Sequence, residues 1–151
     1  MLYMKEKIIG YDVIDFLTKS LALRFKLNGK DFTHVIGIAR GGMIPATMMS
    51  YVFNAKLLSY NVSSYNGKEQ GDIEIDQDID LDSLDEDSKI LVIDDICDSS
   101  KTMQHIKEKI GNRFKLVRYV TLFSREKSKH VVDHYGVTVK DGTWLVFPWE
   151  K

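Results

Sequence analysis

The stretch KILVIDDICDSSKTM, Lys89 to Met103, decides how the rest of the chain is read. Its apolar run Ile90 to Ile93 predicts a buried strand. That run leads straight into two adjacent carboxylates, Asp94 and Asp95, then Asp98, then hydroxyls at Ser99, Ser100 and Thr102. Helical spacing starts at Thr102 and is closed by Gly111-Asn112. In an open parallel sheet, ligands settle beyond the carboxyl ends of the strands. The first turn of a helix adds unpaired N–H groups and a positive dipole end, which suit a phosphate. Neighbouring acids can hold vicinal sugar hydroxyls, or a magnesium ion that bridges them to a diphosphate. The competing reading is a solvated acidic turn that only caps a helix. The apolar strand, the third acid and the hydroxyl-rich turn together favour the ligand site.

Outward from this stretch, strands and helices alternate. Apolar residues at Ile14, Leu17, Leu21 and Phe25 predict a helix within 9–28, with Asp12 as its cap. Val35–Ala39 predicts a strand, broken by Arg40-Gly41-Gly42, and Ile44–Phe53 a helix with Pro45 in its first turn. Lys56–Ser63 and Leu116–Phe123 predict further strands, and Val131–Val139 another. Asn66-Gly67 and Gly71 mark a mobile loop. From Asp72 to Asp87, acids alternate with Ile73, Ile75, Ile79 and Leu81, as in an exposed strand or hairpin. A calcium loop is disfavoured there, because Leu81 stands where its central glycine is required. The whole predicts one α/β domain, 1–151, with a mainly parallel sheet flanked by helices.

Composition narrows the class of ligand. The chain has 151 residues, with 21 Lys plus Arg against 22 Asp plus Glu, a net charge of −1. No basic field is present to hold nucleic acid, so a small ligand is expected. A single cysteine, Cys97, excludes an internal disulfide and suits a reducing compartment. The amino-terminal residues lack the apolar core of a signal peptide, and no apolar run approaches the ~20 residues of a membrane span. A cytoplasmic location is expected. The four histidines, His34, His105, His130 and His134, show no metal-ligand spacing and are read as surface or structural.

The run LVIDDICDSSKTM resembles the phosphoribosyl-pyrophosphate (PRPP) motif of the type I phosphoribosyltransferases: apolar strand, two acids, two further residues, then Asp, Ser/Thr, Gly, a variable residue and Thr. Ser100 departs from it, standing where the family has glycine, which tolerates positive φ better. HVIGIARGGMIPA, residues 34–46, resembles the family's pyrophosphate loop, in which Arg40 supplies charge and Gly41 and Gly42 open the backbone to an anion. The resemblance implies a non-proline cis peptide there, expected at Arg40–Gly41. SSYNGKEQ at 63–70, FSREK at 123–127 and VVDHYGVTVKDGTWLVFPWE at 131–150 resemble the bacterial xanthine-guanine phosphoribosyltransferases.

The resemblance implies the type I phosphoribosyltransferase fold, with a core of about 30–130 and a small hood from the terminal segments. It implies transfer of the phosphoribosyl group of PRPP to a 6-oxopurine, with Mg2+ as cofactor and a homo-oligomeric assembly. A phosphoribosyltransferase for another base and a PRPP- or nucleotide-binding regulator stay open. Asp94 and Asp95 are expected to hold ribose hydroxyls and the metal, and Ser99, Ser100, Lys101 and Thr102 to run along the 5′-phosphate, Lys101 as a helix-start charge. Asp98 is the expected catalytic base for purine N7. Trp144 is expected to stack on the base and Leu145 to read its edge, with Trp149 left to the core. Arg125 or Lys127 is left to read the oxo group, since the relatives' lysine is replaced by Arg125. Ser63, Ser64, Tyr65 and Lys68 fall in the expected closing loop, where Gly71 replaces an arginine.

Overall fold

The computed structural model describes residues 5–64 and 73–151. Six strands form one sheet in the order β4-β3-β2-β5-β6-β7. They are β2 (His34–Ala39), β3 (Lys56–Ser64), β4 (Ile73–Gln77), β5 (Lys89–Cys97), β6 (Leu116–Arg125) and β7 (His134–Val139). All neighbours pair in parallel except β4, which runs antiparallel to β3 at the edge. A separate ribbon joins β1 (Lys5–Ile8) to β8 (Thr143–Val146), with Lys5 opposite Thr143 and Ile8 opposite Val146.

Helices cover both faces of the sheet. The helices α1 (Tyr11–Leu27) and α2 (Met43–Phe53) bury Ile14, Leu17, Leu21, Phe25 and Met49 against Val35, Leu91, Ile93 and Leu122. The helix α3 (Lys101–Ile110) buries Met103, Ile106 and Ile110 on the opposite face, against Ile36, Ile90, Val92 and Tyr60. Full burial on both sides explains why Ile90–Ile93 carries no polar alternation.

The local readings differ from the structure in several element boundaries. Gly10, not Asp12, occupies the N-cap of α1, and no side chain caps it. The segment from Asp72 gives only the short edge strand β4, then a 3₁₀ turn at Leu81–Ser83 in which Asp80 caps Asp82 N–H. A 3₁₀ turn at Lys129–Val131 precedes β7, so that strand begins at His134. The ribbon strand β1 has no counterpart among the expected elements.

Chain direction splits between β2 and β5. From β2 the chain steps outward to β3, whereas from β5 it steps the opposite way to β6. The loops after these two adjacent strands therefore diverge and leave a crevice, the place where open α/β sheets bind ligands.

Candidate active site

The loop after β2 fills one wall of that crevice. Gly42 N–H donates to Ile38 O at 2.9 Å and Met43 N–H to Arg40 O at 3.1 Å, which turns the chain into α2. The cis peptide lies at Ala39–Arg40, one bond before the expected Arg40–Gly41. Both glycines lie at close approaches. A β-carbon on Gly41 would stand 2.0 Å from Asp95 Oδ2, and one on Gly42 would stand 2.6 Å from Ile38 O and 2.7 Å from Ile93 O. The two loops thus meet backbone against carboxylate.

The opposite wall comes from β5, which does not stop at Ile93. Asp94, Ile96 and Cys97 remain paired with Thr121, Phe123 and Ser124 of β6, so the acids sit on a strand rather than on a free turn. Asp95 N–H donates to Asp94 Oδ1 at 2.8 Å, and Ile96 N–H to Asp95 Oδ1 at 2.7 Å. Burial pushes the Asp94 carboxyl well above the ordinary carboxylate range, and the neighbouring Asp95 charge adds to it. Burial also raises Asp95, against hydrogen bonds from Asp94 and Ile96 that favour its charge. Among the described residues, no Lys, Arg or His nitrogen lies within ion-pair distance of either acid. This adjacent, cation-free pair of oxygen donors fits a hard divalent cation such as magnesium. Among the described residues there is no cluster of three or more metal-ligating side chains, so ligand or water oxygens would complete the shell.

Beyond Asp98 the chain turns through Ser99 and Ser100 into α3. Ser100 has φ 68° and ψ −13°, a left-handed conformation at the position where the motif expects glycine. Asp94, Asp98, Ser99, Ser100 and Thr102 line one hollow together with Ser64 from the end of β3. Lys101 is half-buried in the first turn of α3 and does not line that hollow. Ser63 lies beside Ser64 on β3. Tyr65, Lys68 and Gly71 lie outside the described residues.

A second cleft joins Arg40, Gly41 and Asp95 to Ile44, Trp149 and Glu150. Trp149 packs against the core, as expected, and also reaches this cleft. The residue is half-buried, its ring lies flat on Phe147 at 4.9 Å between centroids, and it forms part of the cleft wall. A Pro-Trp-Glu run after a terminal strand was the available signal, because Pro148 starts the 3₁₀ turn that carries Trp149 back.

Of the two cations considered for the base, only Arg125 joins the site. Its side chain is 9% exposed, its Nε donates to Asp98 Oδ1 at 3.0 Å, and its Nη1 donates to Lys140 O at 2.8 Å. Lys127 is exposed. Trp144 and Leu145 are neighbours on β8 and point to opposite faces of the ribbon. Leu145 is buried beside Phe123 and Val139, whereas Trp144 is 49% exposed. Cys97 is buried. His105 hydrogen-bonds the Tyr60 hydroxyl and His134 packs edge-on to Phe25, both structural uses. No helix among the described residues is long and apolar enough to cross a membrane.

The phosphoribosyl transferase domain family matches residues 9–150. A xanthine-guanine phosphoribosyltransferase from Desulfotalea psychrophila is 31% identical over 98% of this chain and 88% of its own. One from Idiomarina loihiensis is 28% identical over 97% and 88%. The crystal structure of a purine phosphoribosyltransferase from Pyrococcus horikoshii superposes with a TM-score of 0.82 at 25% identity, over 98% of this chain and 95% of that one. A hypothetical protein from Neisseria gonorrhoeae with bound ppGpp superposes with a TM-score of 0.80 at 26% identity, over 98% and 90%.

Proposed function

The chain belongs to the phosphoribosyl transferase domain family, and from that premise we propose that it transfers the phosphoribosyl group of PRPP to a 6-oxopurine, releasing pyrophosphate and a nucleoside monophosphate. The observation that carries this reading is the contact of Gly41 with Asp95 across the switch between β2 and β5, with Asp98 and Arg125 at its margin.

The bond to be broken joins the anomeric carbon of the sugar to pyrophosphate, and negative charge grows on the departing group. Arg40, with the backbone opened by Gly41 and Gly42, faces that charge in the second cleft. Ser99 and Thr102 hold the 5′-phosphate through their hydroxyls, and Ser100 through its backbone N–H, at the start of α3. Asp94 and Asp95 hold the ribose hydroxyls. The same two carboxylates would hold magnesium, which when bound would supply positive charge against the charge growing on the departing group. Asp98 accepts the proton from purine N7. Arg125, already fixed by Asp98 and the Lys140 carbonyl, offers its remaining N–H groups to an oxo acceptor. Trp144 supplies an exposed ring for the base.

The test is a turnover assay with guanine, xanthine, hypoxanthine, adenine and uracil as competing acceptors, with PRPP and magnesium. Transfer to one or more 6-oxopurines is expected. Exclusive transfer to uracil would defeat the purine reading, and PRPP binding without any transfer would favour a regulatory protein.

A second reading has one observation in its favour: the Neisseria gonorrhoeae neighbour was solved with ppGpp. A guanine nucleotide carrying diphosphate groups suits a crevice built for a purine beside a pyrophosphate. Under this reading ppGpp competes with PRPP, and its addition raises the apparent KM for PRPP while leaving kcat unchanged. A homo-oligomer fits the exposed Phe16, Leu23 and Leu27 along α1, and light scattering on the purified protein tests it. A single buried thiol suits the reducing cytoplasm.

A further inference from the structure

Ladder pairing between β5 and β6 ends at Cys97 opposite Ser124. Asp98 and Arg125, the residues that face the base in the transfer reading, come immediately after. Beyond the last rung, nothing in a parallel ladder stops two strand ends from splaying.

Ser128 takes over where the ladder stops. Its hydroxyl is buried, with the residue 2% exposed, and donates to Cys97 O at 2.8 Å. Its N–H donates to Arg125 O at 3.0 Å, and its own carbonyl accepts from Val131 N–H at 3.1 Å. The Cys97 thiol returns the contact, with Sγ 3.8 Å from Ser128 O. The result is a closed ring: Cys97 leads into Asp98, Asp98 pairs with Arg125, the chain runs from Arg125 to Ser128, and Ser128 clasps Cys97.

We infer that Ser128 is a positioning residue for the transfer step, its two-way clasp with Cys97 holding Asp98 and Arg125 at the separation the purine needs. The inference rests on the transferase reading and deepens it. Ser128 touches neither substrate; it acts through the pair it frames. A hydroxyl suits this place because the group it satisfies is the carbonyl of Cys97, the last paired residue of the ladder and itself buried.

The test compares Ser128→Ala with the parent protein in steady-state kinetics and in calorimetric titration of PRPP with magnesium. Ser128→Ala is expected to lower kcat about tenfold while the PRPP affinity moves by less than about twofold, because a small displacement at the reacting groups costs rate before it costs binding. On an Arg125→Ala background, Ser128→Ala is expected to add less than about twofold, since the pair it positions is already gone. An unchanged kcat, or a loss that multiplies in full on Arg125→Ala, would overturn the inference. If Ser128→Ala does not fold, Cys97→Ala removes the thiol half of the clasp and is read the same way: a fall in kcat at constant PRPP affinity supports the inference, and constant kcat overturns it. Glu126→Gln, an exposed change in the same loop, serves as the control and is expected to leave kcat unchanged. Parent turnover is measured first, so absence of transfer reports on the transferase reading, and an unaltered variant reports on Ser128 alone.

Discussion

Arg125 Nε and Asp98 Oδ1 stand 3.0 Å apart, joining the end of β6 to the first residue after β5. The two ends of this pair differ in setting: the arginine side chain is 9% exposed and the carboxylate side chain 57% exposed. The arginine is therefore the fixed element, and the acid is the one free to meet a substrate.

Arg125→Ala is expected to lower kcat/KM for the purine about a hundredfold while leaving PRPP affinity within about twofold. Arg125→Lys is expected to recover most of that rate, because an ammonium can still donate to Asp98, though without the planar fork that reaches the Lys140 carbonyl as well. Kinetics with purine as the varied substrate, beside calorimetry for PRPP, checks both. Equal losses of rate and PRPP affinity would place Arg125 outside the base site.

The Asp94–Asp95 pair makes a statement about stability. Burial and the neighbouring charge raise the Asp94 carboxyl, so the native state keeps a proton that the unfolded chain releases above the ordinary carboxylate value of about 4. The contribution of this group to stability is complete below that ordinary value and is lost as pH rises through the raised one. Asp94→Asn removes the linkage. In the absence of ligand, the variant is expected to melt about 5 °C above the parent at pH 8, with the gap narrowing towards pH 4. Transfer activity is expected to be lost. Thermal melts across this range decide it; a gap that widens in acid would contradict the assignment.

The neighbouring glycines separate stability from function. Gly42→Ala drives a β-carbon into two backbone carbonyls, those of Ile38 and Ile93, and is expected to cost about 3 kcal/mol of folding stability. Gly41→Ala meets a side-chain carboxylate that can swing away, so the protein is expected to fold normally and to lose PRPP affinity, because Asp95 is displaced. Denaturant melts and calorimetry on the two variants distinguish these outcomes.

Ser100 offers a gain. Its left-handed conformation costs an L-residue roughly 1 kcal/mol that glycine does not spend. Ser100→Gly is expected to raise stability by about that amount, measured by urea unfolding, with PRPP affinity preserved. A loss of affinity would show that the Ser100 hydroxyl holds the phosphate.

The central strand and its acids were legible because their signal is local: apolar run, carboxylates, hydroxyls and helix onset follow one another along Lys89–Met103. What stayed hidden depends on contacts distant in the chain. Asp98 and Arg125 are 27 residues apart and meet only because β5 and β6 lie in register. The strand β1 carries four exposed residues, and its partner is at the far end of the chain, so it shows neither alternation nor a turn signal. A tryptophan beside proline and phenylalanine reads as packing, and Trp149 does pack against the core; its second contact, with the Gly41 loop, depends on the pairing of β8 with β1 and the turn that follows. The extension of β5 through Asp94 to Cys97 was missed for another reason, since three acids within five residues look like a strand end until a neighbouring backbone is there to pair with them.

The ribbon of Lys5–Ile8 with Thr143–Val146 has a practical corollary. Trimming at the amino end unzips the hydrogen-bonded partner of the segment that presents Trp144 and leads into Trp149. A protease or a poorly placed affinity tag acting on Lys5–Ile8 is thereby felt at the catalytic crevice, and fusions intended to be silent belong elsewhere on the surface.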